Sequence, residues 1–383
     1  MKANQFFNIA KLRKQARKHL PDPMFHYLDG GSDDEISLRR NHSAFAEYEI
    51  TPRSLRDISN LNMETSLLGQ KSKAPIILSP TGMNRLFHHD KEYASARAAE
   101  KAGLVYSLST VATTSIEEIA QTIQSPKMLQ VYIHKDRGLT ENLVSRAKAA
   151  GYTALCLTVD TVVAGNRERD LMTGMSLPPK FTLRSVLSFL THSYWLRHAY
   201  INKGFTLSNL TDYIAPQKMQ NVSVADYINS QFDRTLSWKD FEWLRSNWDG
   251  QLVIKGVQNA ADAVTAEKIG ADALMISNHG GRQLDTSPAP IDCLPEIKTN
   301  ISGKMQLIVD GGIQRGSDIF KAIAMGADGV GIGKAYLYGL AAGGEAGVTR
   351  AIEILVTEFE RTMMLSGCQN LSDITPDMVS KRK

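Results

Sequence analysis

The sequence predicts a parallel (β/α)8 TIM barrel with an N-terminal helical cap and a long excursion after the fourth strand. Two observations carry that reading: a helix–glycine–strand unit that recurs four times, and eight apolar, strand-length segments alternating with helical ones. The unit occurs as Lys101-Ala-Gly-Leu-Val-Tyr-Ser-Leu-Ser109, Ala149-Ala-Gly-Tyr-Thr-Ala-Leu-Cys-Leu157, Lys268-Ile-Gly-Ala-Asp-Ala-Leu-Met-Ile276 and Ala324-Met-Gly-Ala-Asp-Gly-Val-Gly-Ile332. In each copy glycine suits the left-handed backbone that closes a helix, and the strand after it is apolar on both faces, as burial in a parallel sheet requires.

In chain order, residues 4–18, 23–30 and 34–47 read as helices of a cap spanning 1–65. The barrel takes 66–366, with strands near 75–79, 104–109, 128–132, 154–159, 252–255, 272–277, 306–310 and 329–332. Residues 345–366 read as the long last helix and 367–383 as a tail, the whole chain 1–383 forming a single domain. A doubly wound open sheet is the alternative; the absence of Gly-x-Gly-x-x-Gly after the first strand counts against it.

The totals exclude several function classes. Hydrophobic residues make up 43% of the 383, enough for a sizeable core, and 44 basic against 40 acidic residues give a net charge of +4. So slight a surplus does not argue for nucleic acid. Cys156, Cys293 and Cys368 are scattered and not spaced as metal ligands, so we expect reduced core thiols and no metal. No run of 18 apolar residues occurs and no signal-peptide core follows the basic N-terminus.

One interval is anomalous: about 90 residues separate strands four and five, where most units of such a barrel take about 25. Within this excursion, 168–250, residues 171–211 hold no Asp or Glu, yet hold Lys180, Arg184, Arg197, Lys203, His192 and His198 among Phe181, Phe189, Tyr194, Trp195, Tyr200 and Phe205. Cations interleaved with aromatics suit a lipid interface; an ordinary active-site lid is the alternative.

Functional side chains of such a barrel come from the C-terminal ends of its strands. After strand six, Ser277-Asn-His-Gly-Gly-Arg-Gln-Leu-Asp285 sets an imidazole, His279, three residues before a guanidinium, Arg282. That pair supplies a base near neutral pH and a fork for a carboxylate. Asp310-Gly-Gly-Ile-Gln-Arg-Gly316 and Gly331-Ile-Gly-Lys334 follow strands seven and eight, where backbone N–H groups bind phosphate in such barrels. Lys255 follows strand five, Thr158, Asp160 and Arg167 follow strand four, and Gln130 and Tyr132 follow strand three. Together these residues are suited to an anionic substrate that must lose a proton.

These motifs resemble those of the flavin mononucleotide (FMN)-dependent L-2-hydroxy acid dehydrogenase and oxidase family, from Phe25-His-Tyr-Leu-Asp-Gly-Gly31 to Leu365-Ser-Gly-Cys368, with Ser237-Trp-Lys-Asp-Phe-Glu-Trp243 most like the membrane-associated bacterial lactate dehydrogenases. The resemblance implies His279 as base held by Asp160, Arg282 and Arg167 on the substrate carboxylate, and Tyr132 on its hydroxyl oxygen. Lys255 would face the flavin N1–C2 edge. Thr81, Ser109, Gln130, Thr158 and Ser277 would hold the flavin, Asp310 its ribityl chain, and Gly311, Gly312, Arg315, Gly333 and Lys334 its phosphate. The implied reaction is oxidation of L-lactate to pyruvate by FMN, with electrons passed to membrane quinone. By the same resemblance the protein would be a homo-oligomer, a tetramer in the family's manner, peripheral on the cytoplasmic side of the inner membrane and touching lipid through 171–211. Alternatives are a soluble oxidase that makes hydrogen peroxide, a mandelate-type dehydrogenase, and a flavin-binding scaffold without catalysis.

Departures from the family pattern carry their own expectations. Phe25 stands where a carboxylate-binding tyrosine is expected, Gln314 and Lys334 where arginines would hold phosphate, and Val111 where glycolate oxidase has a tryptophan. They imply greater reliance on Arg282 and Arg167, weaker FMN retention and room for a larger substrate side chain. Gly82 resembles the small residue of dehydrogenase members beside the flavin.

Overall fold

A computed structural model of the chain describes residues 5–175, 181–198, 205–211, 213 and 232–382. Eight parallel strands close a barrel in sequence order: β1 (Ile76–Thr81), β2 (Val105–Ser109), β3 (Lys127–Val131), β4 (Ala154–Thr158), β5 (Gln251–Val257), β6 (Ala273–Ser277), β7 (Gln306–Asp310) and β8 (Gly329–Ile332). The expected strands agree with these to within about two residues at each end. Apolar residues on both faces leave these strands nowhere stable except between a packed interior and a ring of helices.

Alternation along each strand divides the core in two. Ile77, Val105, Met128, Cys156, Val253 and Met275 point inward and pack in the barrel interior. Ile76, Leu78, Leu129, Leu155, Leu274 and Leu307 point outward beneath the helices. Leu67 and Leu68, at the tip of a small antiparallel hairpin (Thr65–Leu67 with Gln70–Ser72), join the interior cluster and are fully buried. The hairpin therefore plugs the barrel end opposite the C-terminal ends of the strands, a packing role that its short sequence does not announce.

Three cap helices precede the barrel: α1 (Ile9–His19), α2 (Asp22–Asp29) and α3 (Ile36–Ala46). Asn8 starts α1 by accepting from the Lys11 amide at 2.8 Å. The last helix runs Lys334–Leu365, longer than expected, because two helical stretches join across a kink at Gly343 and Gly344, where the backbone leaves helical geometry. The tail is not free: Val379–Lys381 pairs antiparallel with Tyr48–Ile50 just after the cap. Among the described residues no helix is long and apolar enough to cross a membrane.

Leu67→Ala removes a fully buried side chain from the plug and should destabilise the protein by about 2–5 kcal/mol, measured by denaturant unfolding. A change under about 0.5 kcal/mol would remove the plug from the fold's stabilising contacts.

Candidate active site

Strand register assembles the site before any loop contributes. At the C-terminal rim, Ser109 is paired with Gln130, Thr158 with Lys255, and Ser277 with Asp310. Lys255 Nζ donates to Ser277 Oγ at 3.0 Å and lies 3.1 Å from Asp310 Oδ2. The same carboxylate accepts from Ser277 Oγ at 2.8 Å and, through Oδ1, from Ser79 Oγ at 2.6 Å. Burial alone would lower the Lys255 pKa, but Asp310 and then Asp160 outweigh it, so the ammonium stays charged. A cavity of about 790 Å³ opens above this network, within the range of small-molecule and cofactor sites.

His279 sits on the loop after β6 with φ +58°, a left-handed backbone that a non-glycine residue rarely adopts. Its amide donates to Ser277 Oγ at 3.0 Å, and its Nδ1 lies 2.9 Å from Asp160 Oδ1. Burial pushes the Asp160 carboxyl up, but His279 and Lys255 outweigh burial and hold it at about 2. An ionised carboxylate can only accept, so the proton resides on Nδ1 and Nε2 keeps its lone pair. Burial lowers the imidazole's pKa, with Lys255 and Arg167 opposing its charge further, against the raising effect of Asp160. The arrangement is a neutral base oriented by a buried anion.

Arg282, Arg167 and Tyr132 line the same cavity. Arg282 Nη1 donates to the carbonyls of Tyr27 at 2.7 Å and Gly30 at 3.0 Å. Burial, and then Arg167, lower its pKa to about 10, leaving it charged at neutral pH. Burial, and then Asp160, push the Tyr132 phenol up to about 12, so it remains a donor. The expectation that this corner lacks a tyrosine because of Phe25 is corrected: Phe25 is buried beneath Arg13 and Arg17, whereas Tyr27 lines the cavity with its ring 5.0 Å from the Arg282 guanidinium. Residues two apart on a helix face different ways, and packing selects Tyr27. Asp170, which no sequence motif singled out, also lines the cavity among these cations, and burial raises its pKa.

Thr81, Ser109, Gln130, Thr158, Lys255 and Asp310 line the floor. Ser109 Oγ donates to Gln130 Oε1 at 3.1 Å, and among the described residues neither the buried Gln130 Nε2 nor the buried Thr158 Oγ1 has a partner. Buried polar groups are nearly always satisfied; these two fit the polar edge of a flavin ring. Gly311, Gly312, Gly333 and Lys334 form the far corner, joined by Gln314 and, from α3, by Asn41 and His42, which sequence motifs alone did not single out. Two expected ligands fall elsewhere. The Arg315 side chain turns outward to Glu358 at 2.6 Å, and Ser277 is wholly buried beneath Lys255, supporting the floor rather than lining it.

Within the excursion, Lys180, Tyr200 and Lys203 lie outside the described residues. Helix Leu183–Thr191 exposes Leu183, Val186, Leu187 and Leu190 along one face, beside exposed Arg184. Trp195 is corrected from interface aromatic to anchor: it is buried, and its Nε1 donates to the Leu86 carbonyl at 2.8 Å.

Gly82 borders the cavity with Val111, and a Cβ there would lie 2.5 Å from Val111 Cγ2. Gly82→Ala should therefore cost about 1–3 kcal/mol in thermal unfolding, and Val111→Ala in the same chain should recover part of the loss. Additive effects of the two substitutions would show that the pair is not in steric conflict.

Comparison with known proteins agrees with this geometry. Residues 16–381 match the family described as FMN-dependent dehydrogenase. A putative L-lactate dehydrogenase of Mycobacterium tuberculosis is 41% identical over 374 residues, 97% of this chain and 89% of that protein. Glycolate oxidase 1 of Oryza sativa subsp. indica is 41% identical over 368 residues, 96% of this chain and 94% of its own. Among solved structures, the monotopic membrane protein (S)-mandelate dehydrogenase superposes with a TM-score of 0.93 at 34% identity, over 98% of this chain and all of that one. Lactate, glycolate and mandelate are all 2-hydroxy acids, and FMN-dependent oxidation of such an acid is the activity common to them. The chain belongs to the FMN-dependent dehydrogenase family.

Proposed function

We propose that the protein is an L-2-hydroxy acid dehydrogenase acting on L-lactate at a membrane surface and passing electrons to quinone. The observation that carries the catalytic half is the partly buried Asp160–His279 pair at 2.9 Å beside two cavity-lining arginines. Arg282 and Arg167 take the substrate carboxylate, and Tyr132 donates to the oxygen on C2. His279 Nε2 receives the hydroxyl proton, and Asp160 stabilises the imidazolium that results. Thr81, Ser109, Gln130, Thr158, Asp310 and the glycine-rich loops would hold FMN, which would supply the two-electron acceptor. Lys255, charged in the cavity floor, favours added negative charge on the ring.

His279→Gln should lower kcat by about 10²–10⁴-fold while the purified protein keeps its flavin spectrum. Retained turnover would remove His279 as the base. Because catalysis needs the neutral imidazole, and burial lowers its pKa from 6.5, the acid limb of the kcat/KM profile should lie below pH 6.5 in the wild type. An acid limb above that value would mean that Asp160 dominates over burial.

The membrane half rests on the exposed apolar face of helix Leu183–Thr191 with Arg184 at its edge, and on the similarity to a monotopic membrane protein. Replacing Leu187 and Leu190 together by Asp should release the protein from vesicles containing anionic lipid and leave kcat with a soluble dye acceptor unchanged. Equal vesicle binding by this variant would contradict lipid contact through this helix. A second reading, a bulkier apolar acid, is favoured by Val111, Met83, Phe87, Leu171, Met175 and Phe232 in the cavity wall; a kcat/KM for L-mandelate at least about tenfold above that for L-lactate, a difference of about 1.4 kcal/mol in transition-state binding, would establish it.

A further inference from the structure

The corner that receives the FMN phosphate is short of permanent charge. Gln314 is neutral, and the Arg315 guanidinium is bound to Glu358 outside the cavity. Among the described residues, Lys334, at the start of the last helix, and His42, on α3, remain there. Close packing fixes α3 against the loop after β7: at Gly312, φ +84°, a Cβ would meet the Asn41 carbonyl oxygen at 2.0 Å. The same contact carries the neighbouring His42 to the cavity.

Among the described residues Lys334 has no carboxylate partner of its own. Its Nζ donates to the carbonyls of Asp29 and Gly30, each at 3.0 Å. An ammonium has three N–H donors, so one is left for the cavity that Lys334 lines. Of the carboxylates that face it, Asp170 is shared with Arg282, Arg167 and Arg169, and Asp29 and Glu35 are already engaged. Asp29 accepts two bonds from Arg13, both at 2.6 Å, one from Tyr338 at 2.8 Å and one from Arg169 at 3.2 Å. Glu35 is taken by Arg169 and by the Gly31 amide. Arg282 and Arg169 add like charge toward Lys334, while His42 faces Lys334, Arg13 and Asp29.

We propose that Lys334 and His42 form a proton-linked grip on the FMN phosphate, so that loading the cofactor takes up protons and weakens as the solution becomes alkaline. The inference rests on FMN being the cofactor. Burial, and then Arg282, hold the free Lys334 ammonium at about 7, and burial, and then Lys334, lower the His42 imidazole from its ordinary value. A phosphomonoester carries about 1.5–2 negative charges at pH 7, and its arrival raises the pKa of any cation it touches. A group whose pKa rises on binding contributes its full effect below the free pKa and loses it as pH climbs through the bound pKa. FMN is therefore held most tightly near neutrality and released toward pH 9. A permanent guanidinium, by contrast, would hold phosphate evenly across that range.

The test is FMN binding to the apoprotein, followed by quenching of flavin fluorescence from pH 6 to pH 9, with riboflavin as the probe lacking phosphate. The FMN Kd should rise at least about tenfold between pH 7 and pH 9, and the riboflavin Kd should not. Lys334→Arg should flatten the alkaline rise, and His42→Gln should weaken FMN binding several-fold more at pH 6 than at pH 9. Calorimetry in two buffers of different ionisation enthalpy should register net proton uptake on FMN binding at pH 7.5. An FMN Kd that is flat with pH, or a riboflavin Kd that rises in parallel, would overturn the proposal, and the wild-type comparison decides it even if a variant fails to fold. Failure of FMN to bind at any pH would instead count against the cofactor itself.

Discussion

The site depends on one buried ion pair, Lys255 with Asp310, bridged by Ser277 and completed by Ser79. These four side chains come from β5, β7, β6 and β1, so the network crosses the rim of the barrel and ties together strands that are not all neighbours in the sheet. Charges buried this deeply are tolerated only when paired and hydrogen-bonded, and removing one partner of such a pair costs about 3–5 kcal/mol. The network also supplies the floor on which the catalytic loop rests, because Ser277 Oγ receives the His279 amide. Structural and chemical demands therefore fall on the same atoms.

Above that floor the charges are unequally matched. Asp160 is committed to His279, and Asp170 is held in a pocket wall that also carries Arg167 and Arg282. Among the described residues that line the cavity, cations outnumber the anions that can answer them, as suits a cavity for an anionic ligand. Partial burial limits the screening of Arg282 by solvent, while its carbonyl partners fix its direction without cancelling its charge. The left-handed backbone at His279 serves the same end: the loop accepts an unfavourable φ so that the imidazole meets Asp160.

Much of this was legible in the sequence because it follows from local pattern. The eight strands declare themselves since both faces are buried, and strand-end residues such as Thr158, Lys255 and Asp310 inherit their place from the barrel's register. What was not legible depends on distant packing. Phe25 and Tyr27 differ by two positions, and only the contact of α2 with the cavity decides which ring meets Arg282. Arg315 is lost to the cavity because Glu358, on the last helix, lies 2.6 Å away. Trp195 reads as an interface aromatic until its indole is seen bonded to the Leu86 carbonyl. His42 carries no motif and reaches the phosphate corner through the fit of α3 on Gly312.

The most direct measurement is the visible spectrum of the purified protein, recorded without oxygen before and after addition of L-lactate. Loss of the oxidised flavin bands, with one equivalent of pyruvate formed per flavin, is the predicted result. A flavin spectrum that persists with L-lactate and with every other L-2-hydroxy acid would contradict the assignment of His279, Arg282 and Arg167 as the machinery of hydroxy acid oxidation.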